Sequence, residues 1–426
     1  MLRLARAVAL VILTAFALAE LFAVVVSLEP PGSYDKDFSQ EYLLARALWD
    51  GTDTNLPIRD LAARYATVAS YLDKPNPTPH PPTAGLLALP LAALDYITAV
   101  RAWFGLQLIS LIASVWLLAR ANHLLPDPPA ATPAAARALL SGRWPAVLIA
   151  SVCLIGWPPV GLDLGLGQLS LPLLALLAAA QLALGAERRR LAGVLLGLSL
   201  LLKPLAWPWL LVLVRRRQWA AVFATVGCVG LGYLAVALRE GPPRLAAYFL
   251  DVGPALNADF VHEPTNLSLW TLGPRLLPTV PALATLLSAA VVALVLGLVW
   301  LAAGPQRRLG AALGAATMAA ILVSPVSWYF YLVLLLLPAA YVLGQLRQSP
   351  QLGAAATLAS VLLLVYVPAW LPAARLSSAG VALPAYLVAL LPTVGMLGLT
   401  LALPGAVQCE PPARLSRPKT WSQRLQ

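Results

Sequence analysis

Long apolar runs alternate with short polar intervals along the chain, and the polar intervals are of two kinds, acidic and basic. The first apolar run, Leu4 to Leu28, follows Arg3 and Arg6. It exceeds the core of a signal peptide and no small-residue cleavage site follows it, which predicts an uncleaved first span with the N-terminus inside. Residues 29–83 then form an outer loop with eight Asp or Glu against five Lys or Arg, and residues 239–280 form a second with four more acids. Twelve of the 18 carboxylates therefore lie in two loops, which are expected to share one face of a membrane. Within the first loop, Phe38 to Trp49 is apolar or aromatic at 38, 42, 43, 45, 47, 48 and 49, with Glu41 and Arg46 opposite. That spacing predicts an amphipathic helix lying along the interface, and Ile58 to Leu72 reads the same way. Lys74 to Pro82 has five prolines in nine residues and excludes a helix. It leads rigidly into Thr83 to Leu94, which is too short to span a core of about 30 Å at about 1.5 Å of rise per residue.

The basic intervals place the remaining spans. Arg101 to Arg120 crosses inward and leaves residues 121–143, with Arg137 and Arg143, in the cytoplasm. Trp144 to Pro159 crosses out, and Leu169 to Leu184 returns to the arginines at 188–190. Only 24 residues separate Arg190 from Arg215, and Lys203-Pro204 and Pro208 interrupt them. A single span would strand one arginine triplet outside, so two short helices are expected, meeting at a kink that exposes Lys203. Trp219 to Leu238 crosses to the second acidic loop, and Pro281 to Ala303 returns to Arg307 and Arg308. Leu309 to Val323 and Tyr329 to Gly344 pair around an outer Ser324–Trp328 turn. Leu352 to Leu371 and Val381 to Leu403 complete about twelve spans. The domain reading is one integral membrane domain, 1–404, and a basic tail, 405–426, with both termini cytoplasmic.

Composition sharpens this into a class. The chain of 426 residues is 60% hydrophobic and 11% charged, with mean hydropathy +0.79. A soluble domain carries roughly 25% charged residues, so this is an all-α polytopic membrane protein. Its pI of about 9.9 does not point to nucleic acid, because the basic residues sit in short clusters between apolar runs, as loop anchors do. Cys153, Cys228 and Cys409 are scattered, with neither metal-site spacing nor a disulfide framework. No repeat supports a transporter built from two matched halves.

Candidate chemistry gathers on the acid-rich face: Asp35, Asp37 and Glu41; His80; Asp163 and Gln168; Lys203; Asn266 and Arg275; and Trp328. A hydroxyl acceptor needs a base, a phosphate leaving group needs cations, and a sugar ring stacks on tryptophan. Each residue also has a structural reading. Asp37 suits the N-cap of the helix from Phe38, with Glu41 near the capping-box position. Asp35 reads as a solvated acid, His80 as a rigid-loop residue and Arg275 as a loop anchor. Lys203 suits snorkelling, Asp163 and Gln168 suit capping of the next helix, and Trp328 suits an interfacial aromatic belt. Three function classes compete: a lipid-linked sugar transferase, a transporter or flippase, and an assembly protein. A transporter would place ionisable residues in mid-membrane and break helices in both halves, whereas one such break is visible.

Several short motifs occur in a recognisable order: Asp37-Phe38 with Tyr42; His80-Pro81-Pro82 before an apolar helix; Gly167-Gln168; Gly193 to Gly197 running to Lys203-Pro204; Asn266-Leu267-Ser268; and Ser324-Pro325-Val326-Ser327-Trp328. In that order they resemble glycosyltransferase family 87. The resemblance implies a GT-C fold and a polyprenyl-phosphate-mannose-dependent α-mannosyltransferase in the inner (plasma) membrane, acting on the extracytoplasmic side. It implies that Asp37 is the base, with inversion at the anomeric carbon, and that Lys203 meets the carrier phosphate. The expected substrate-binding set is Asp35, Tyr42, His80, Gln168, Lys203, Asn266, Arg275 and Trp328. The polyprenyl-phosphate sugar is a donor substrate, so no cofactor or metal is expected. The expected partners are that donor, a glycolipid or polysaccharide acceptor and the lipid bilayer. One departure stands out: members of the family commonly have a histidine shortly after Ser-Pro-x-Ser-Trp, where this chain reads Tyr329-Phe330-Tyr331.

Overall fold

The computed structural model describes residues 2–66, 75–124, 144–261, 263, 265–348 and 382–402. Among the described residues every regular element is helical. In chain order they are α1 (Leu2–Val26), a 3₁₀ turn at Gly32–Asp35, α2 (Ser39–Asp50), α3 (Ile58–Tyr65), α4 (Pro82–Ala92), α5 (Tyr96–Ala121), α6 (Trp144–Ile155), α7 (Pro158–Leu166) and α8 (Ser170–Gly185). Then come α9 (Arg189–Leu202), α10 (Pro208–Arg215), α11 (Trp219–Glu240), α12 (Pro242–Ala247), α13 (Gly253–Phe260), α14 (Leu272–Leu276) and α15 (Pro281–Ala302). Helix α16 (Leu309–Val323), a 3₁₀ segment at Tyr329–Leu335, α17 (Leu336–Gln348) and α18 (Ala382–Ala402) follow. The expected span at Leu352 to Leu371, most of the 121–143 loop and the basic tail lie outside the described residues.

By length and hydropathy, three helices among the described residues are able to cross a membrane: α5, α11 and α15. Helices α6 and α7 qualify together but bend by 80° at their junction, where Pro158 and Pro159 follow Trp157. The outward span expected over Trp144 to Pro159 thus stops as a helix at Ile155 and turns into α7, because proline opens a new helix there instead of continuing the old. Among the described residues six further apolar stretches of 10 to 17 residues, parts of α1 and α18 included, fall short of that test, and the expectation of about twelve spans rests on them. Helix α16 is buried around its whole circumference from Ala311 to Val323, as expected of a helix enclosed by others.

In an apolar solvent, close packing and hydrogen bonds, rather than burial from water, hold helices together. The pair α9 and α11 shows this. A Cβ on Gly193 would lie 2.2 Å from Ala221 O, and one on Gly232 would lie 2.5 Å from the Leu201 side chain. Thr225 Oγ1 donates to Gly193 O at 3.0 Å. The two helices run parallel, with Gly193 against Ala221 near their starts and Leu201 against Gly232 towards their ends, so the arginines at 188–190 and at 215–217 lie at the same end, with Lys203 at the other. Arg216 donates to Gly304 O and Arg307 O, and Arg307 to Leu401 O, which brings the 306–308 arginine loop and the end of α18 to that basic end.

At the opposite end the two acidic loops touch. Thr54 Oγ1 and its amide donate to the Glu240 carboxylate at 2.9 and 3.2 Å, and Tyr248 donates to Pro79 O at 2.9 Å. Helix α2 departs from the interfacial helix expected on its pattern, because its polar residues are enclosed as well as its apolar ones. Glu41 is 1% exposed and faces His80, while Arg46 donates to Ala92 O and stacks over Tyr65. Helices α3, α4 and α5 pack around it. The second interfacial helix, expected to reach Leu72, ends at Tyr65, and residues 67–72 lie outside the described set.

The contact of α2 with α4 depends on Gly85. A Cβ there would lie 2.6 Å from Leu44 Cβ, 2.7 Å from Leu44 C and 2.9 Å from Ala45 N, so the obstruction is mostly backbone. Gly85→Ala is expected to lower stability by about 1–3 kcal/mol, the scale of overpacking. Gly105→Ala in α5, where no atom lies within 4 Å, is expected to be neutral or slightly stabilising. Thermal melting of the purified proteins checks the pair; equal melting temperatures would contradict the close approach.

Candidate active site

The approach to Asp37 is built by Lys36. Its buried ammonium donates to Ser27 Oγ at 2.6 Å and to Gly165 O at 2.5 Å, pinning the loop across the C-terminal end of α7. A cation there also complements the helix dipole. Burial pushes the Lys36 ammonium down to about 8, against the raising influence of Asp35. The Asp37 amide donates to Leu166 O at 2.7 Å. Helix α7 ends at Gly167 with φ +72°, a conformation that suits glycine, and the space a Cβ would occupy lies 3.0 Å from Phe38 Cβ. Phe38 stacks on Trp103 at 4.9 Å, and Trp103 Nε1 donates to Gly167 O at 2.9 Å.

These contacts leave the half-buried Asp37 carboxylate between two side-chain amides. Gln168 Nε2 donates to Oδ2, and Gln40 Nε2 reaches Oδ1 at 3.5 Å. The N-cap of α2 is Phe38, with no side-chain cap, so the capping reading of Asp37 does not describe this geometry. Asp35, two residues earlier, is exposed at the end of the 3₁₀ turn.

One turn along α2 stands Glu41, in ion-pair contact with His80 Nδ1. His80 is 3% exposed, and its Nε2 lies 3.2 Å from Lys203 Nζ. Lys203 caps α9 in an extended conformation before Pro204, and its ammonium sits 4.4 Å from the centre of the Tyr331 ring. Glu41, Asp37 and Asp163 are within electrostatic reach of it. Thr78 closes the group by donating to Gln40 Oε1 at 3.1 Å and accepting from the His80 amide at 3.3 Å. Thr83 Oγ1 donates to Leu201 O at 2.7 Å and ties the start of α4 to the end of α9. Asp37, Gln168, His80 and Lys203 thus come together as one polar cluster.

The remaining candidates are placed differently. Tyr42 is buried, its hydroxyl donating to Leu94 O at 3.0 Å and its ring edge-on to Tyr96. Asn266 is fully buried and joins two loops: Oδ1 accepts from the Ser268 and Ser327 amides at 3.0 and 2.9 Å, and Nδ2 donates to Phe260 O at 3.1 Å. Arg275 donates to Glu263 O at 2.6 Å and lies 4.5 Å from the Tyr386 ring centre. Trp328 packs edge-on against Phe260 at 5.4 Å. This second group adjoins the first through the chain from Trp328 to Tyr331, whose amide donates to Trp328 O at 2.9 Å.

Asp163 takes the capping role that sequence reasoning held open. Its carboxylate accepts from the Ser170 and Leu171 amides at 3.0 and 3.3 Å, supplying the first turn of α8. Gln107 Nε2 bonds its backbone and side-chain oxygens and also Gln168 O. Sequence reasoning passed over Gln107, Thr78 and the role of Tyr331. Gln107 had a signal, since an amide in an otherwise apolar span needs a partner. Among the described residues no group of three His, Cys, Asp or Glu is placed to hold a metal ion.

The segment 79–325, more than half of the chain, matches the family model described as glycosyltransferase family 87. The chain belongs to that family. Comparisons with curated proteins and with solved structures give no match. Family 87 membership makes this a membrane glycosyltransferase, and its matched segment contains His80, Asp163, Gln168, Lys203, Asn266 and Arg275. Asp35, Asp37 and Tyr42 precede the segment, and Trp328 follows it.

The capping role of Asp163 is testable apart from activity. Asp163→Ala strands buried helix N–H groups at about 1–3 kcal/mol each, so it should lower the melting temperature strongly. Asp35→Ala should not. An unchanged melting temperature for Asp163→Ala would remove the cap from this account.

Proposed function

We propose that this family 87 protein transfers a hexose, mannose by the family resemblance, from a polyprenyl-phosphate sugar to a glycolipid or polysaccharide acceptor. The reaction inverts the anomeric carbon and takes place at the acid-rich end, on a GT-C-like fold of about twelve spans. The observation that carries this reading is the environment of Asp37: a half-buried carboxylate held by amide side chains, beside a cation that contacts His80.

In that arrangement Asp37 takes the proton of the acceptor hydroxyl as the acceptor oxygen bonds to the anomeric carbon. The bond from that carbon to the phosphate oxygen breaks, and its electron pair leaves with the phosphate. A phosphate is already stable as an anion, so a second carboxylate acting as a proton donor is not required. Lys203 faces the departing charge, and an electrostatic contact of this kind strengthens where water is excluded. Glu41 is engaged by His80, whereas the half-buried Asp37 carboxylate is oriented by the Gln168 and Gln40 amides. Trp328 and Phe260 offer an aromatic surface for a sugar ring.

Orientation follows from charge. The basic end, with its three arginine clusters, belongs in the cytoplasm, and the acid-rich end faces outward across the inner membrane. In protein freed of its three native cysteines, Asp60→Cys and Ala258→Cys should react with an impermeant thiol reagent from outside intact cells, whereas Arg217→Cys should not. Labelling of all three from outside would overturn the orientation.

The experiment for the activity is transfer from a labelled polyprenyl-phosphate sugar by purified protein in lipid. Asp37→Asn keeps the shape and removes the proton acceptor, and loss of a general base typically lowers rate roughly 100-fold to 10,000-fold. Asp37→Asn should insert and bind donor normally yet lose nearly all transfer, while Asp35→Asn keeps most of it. A fully active Asp37→Asn protein would refute Asp37 as the base.

A further inference from the structure

The ammonium of Lys203 has three N–H bonds to direct. One lies along the 3.2 Å contact with His80 Nε2, and a second meets the face of the Tyr331 ring at 4.4 Å. Among the described residues no further partner meets the ammonium, which leaves the third for a ligand. His80 accepts from Lys203 only if Nε2 carries a lone pair, and this depends on its other nitrogen. Nδ1 is in contact with Glu41 Oε1. An ionised carboxylate only accepts, so the proton belongs on Nδ1 and the lone pair on Nε2. Three elements are needed to make this line of groups: α2 for Glu41, the proline-rich segment before α4 for His80, and the break after α9 for Lys203. Glu41 and His80 are 1% and 3% exposed, which leaves them little surface to offer a substrate of their own.

We propose that Glu41 and His80 are positioning residues for Lys203, fixing the histidine tautomer and aiming one ammonium N–H at the phosphate of the donor; the inference rests on the polyprenyl-phosphate reading above. His80 then acts on the substrate through Lys203 rather than by touching it. The same geometry assigns Tyr331, at the place where the family resemblance leads one to expect a histidine nearby, the role of a face that shares the ammonium without competing as a hydrogen-bond acceptor.

The test measures binding of a short-chain polyprenyl phosphate without sugar to the purified full-length protein in lipid nanodiscs, with melting temperatures recorded alongside. Lys203→Ala and His80→Leu should each weaken binding about 10- to 100-fold, the scale of a lost charge-assisted contact. Glu41→Leu should weaken it about tenfold by releasing the tautomer. His80→Gln can present an N–H to Glu41 and an oxygen to Lys203, so it should stay within about threefold of the native protein. If Lys203→Ala binds poorly while His80→Leu and Glu41→Leu bind normally, the positioning role is wrong and the phosphate reading stands. If Lys203→Ala binds normally, the phosphate reading itself is wrong at Lys203. Equal losses in His80→Gln and His80→Leu would make His80 a packing residue and overturn the inference.

Discussion

A carboxylate as enclosed as Glu41 is tolerable in an apolar helical body only when opposite charge or hydrogen-bond donors reach it. Leaving such an ion unpaired costs several kcal/mol, so the surrounding chain is arranged to avoid it. The contact with His80, and through it with Lys203, supplies that compensation. For the three groups to meet, α2 must sit inside the bundle, the proline-rich segment must pass over it, and α9 must stop at Lys203. The bare backbone at Gly85 lets α2 and α4 close, and the Thr83 hydroxyl fastens α4 to Leu201 O. The enclosure of α2 and the geometry of the site are one arrangement seen from two sides.

The site also lies where helices stop. A break inside an apolar body leaves backbone groups that need partners, and such breaks are tolerated only where those partners exist. At the end of α7, Leu166 O and Gly167 O receive the Asp37 amide and Trp103. At the start of α8, the Asp163 carboxylate answers the Ser170 and Leu171 amides. At the Ser324–Trp328 turn, the Asn266 side chain answers Ser327, and Leu267 N donates to Ser327 O at 2.6 Å. Many polar residues around the centre are therefore engaged in holding broken helices together. Asp37 and Lys203 differ because their charged groups meet other side chains rather than helix ends.

This division explains which residues were legible beforehand. Asp37, His80 and Lys203 stood out because each is a charged or titratable residue beside an apolar run or among prolines, and those are properties of a few adjacent residues. Asn266 and Tyr42 also stood out, yet their polar atoms meet Phe260, Ser327 and Leu94 across the fold. Glu41 was read as the solvent side of an amphipathic stripe, since hydropathy periodicity distinguishes two faces of a helix but not water from a buried ionic partner. Gln107 was hidden by the apolar residues around it.

The sequence alone determined the membrane class, the acidic and basic ends, and the interruptions at Lys203-Pro204 and at the Ser324–Trp328 turn, because hydropathy, charge and proline act over one or two helical turns. It also carried the resemblance to family 87, whose family model matches more than half of the chain. Only the tertiary structure decided that α2 is enclosed, that Glu41 pairs with a histidine 39 positions away, and that His80 reaches a lysine 123 positions further on. Such pairings are fixed by how helices pack and by the high energy of an unmatched buried charge, and neither has a local period to read.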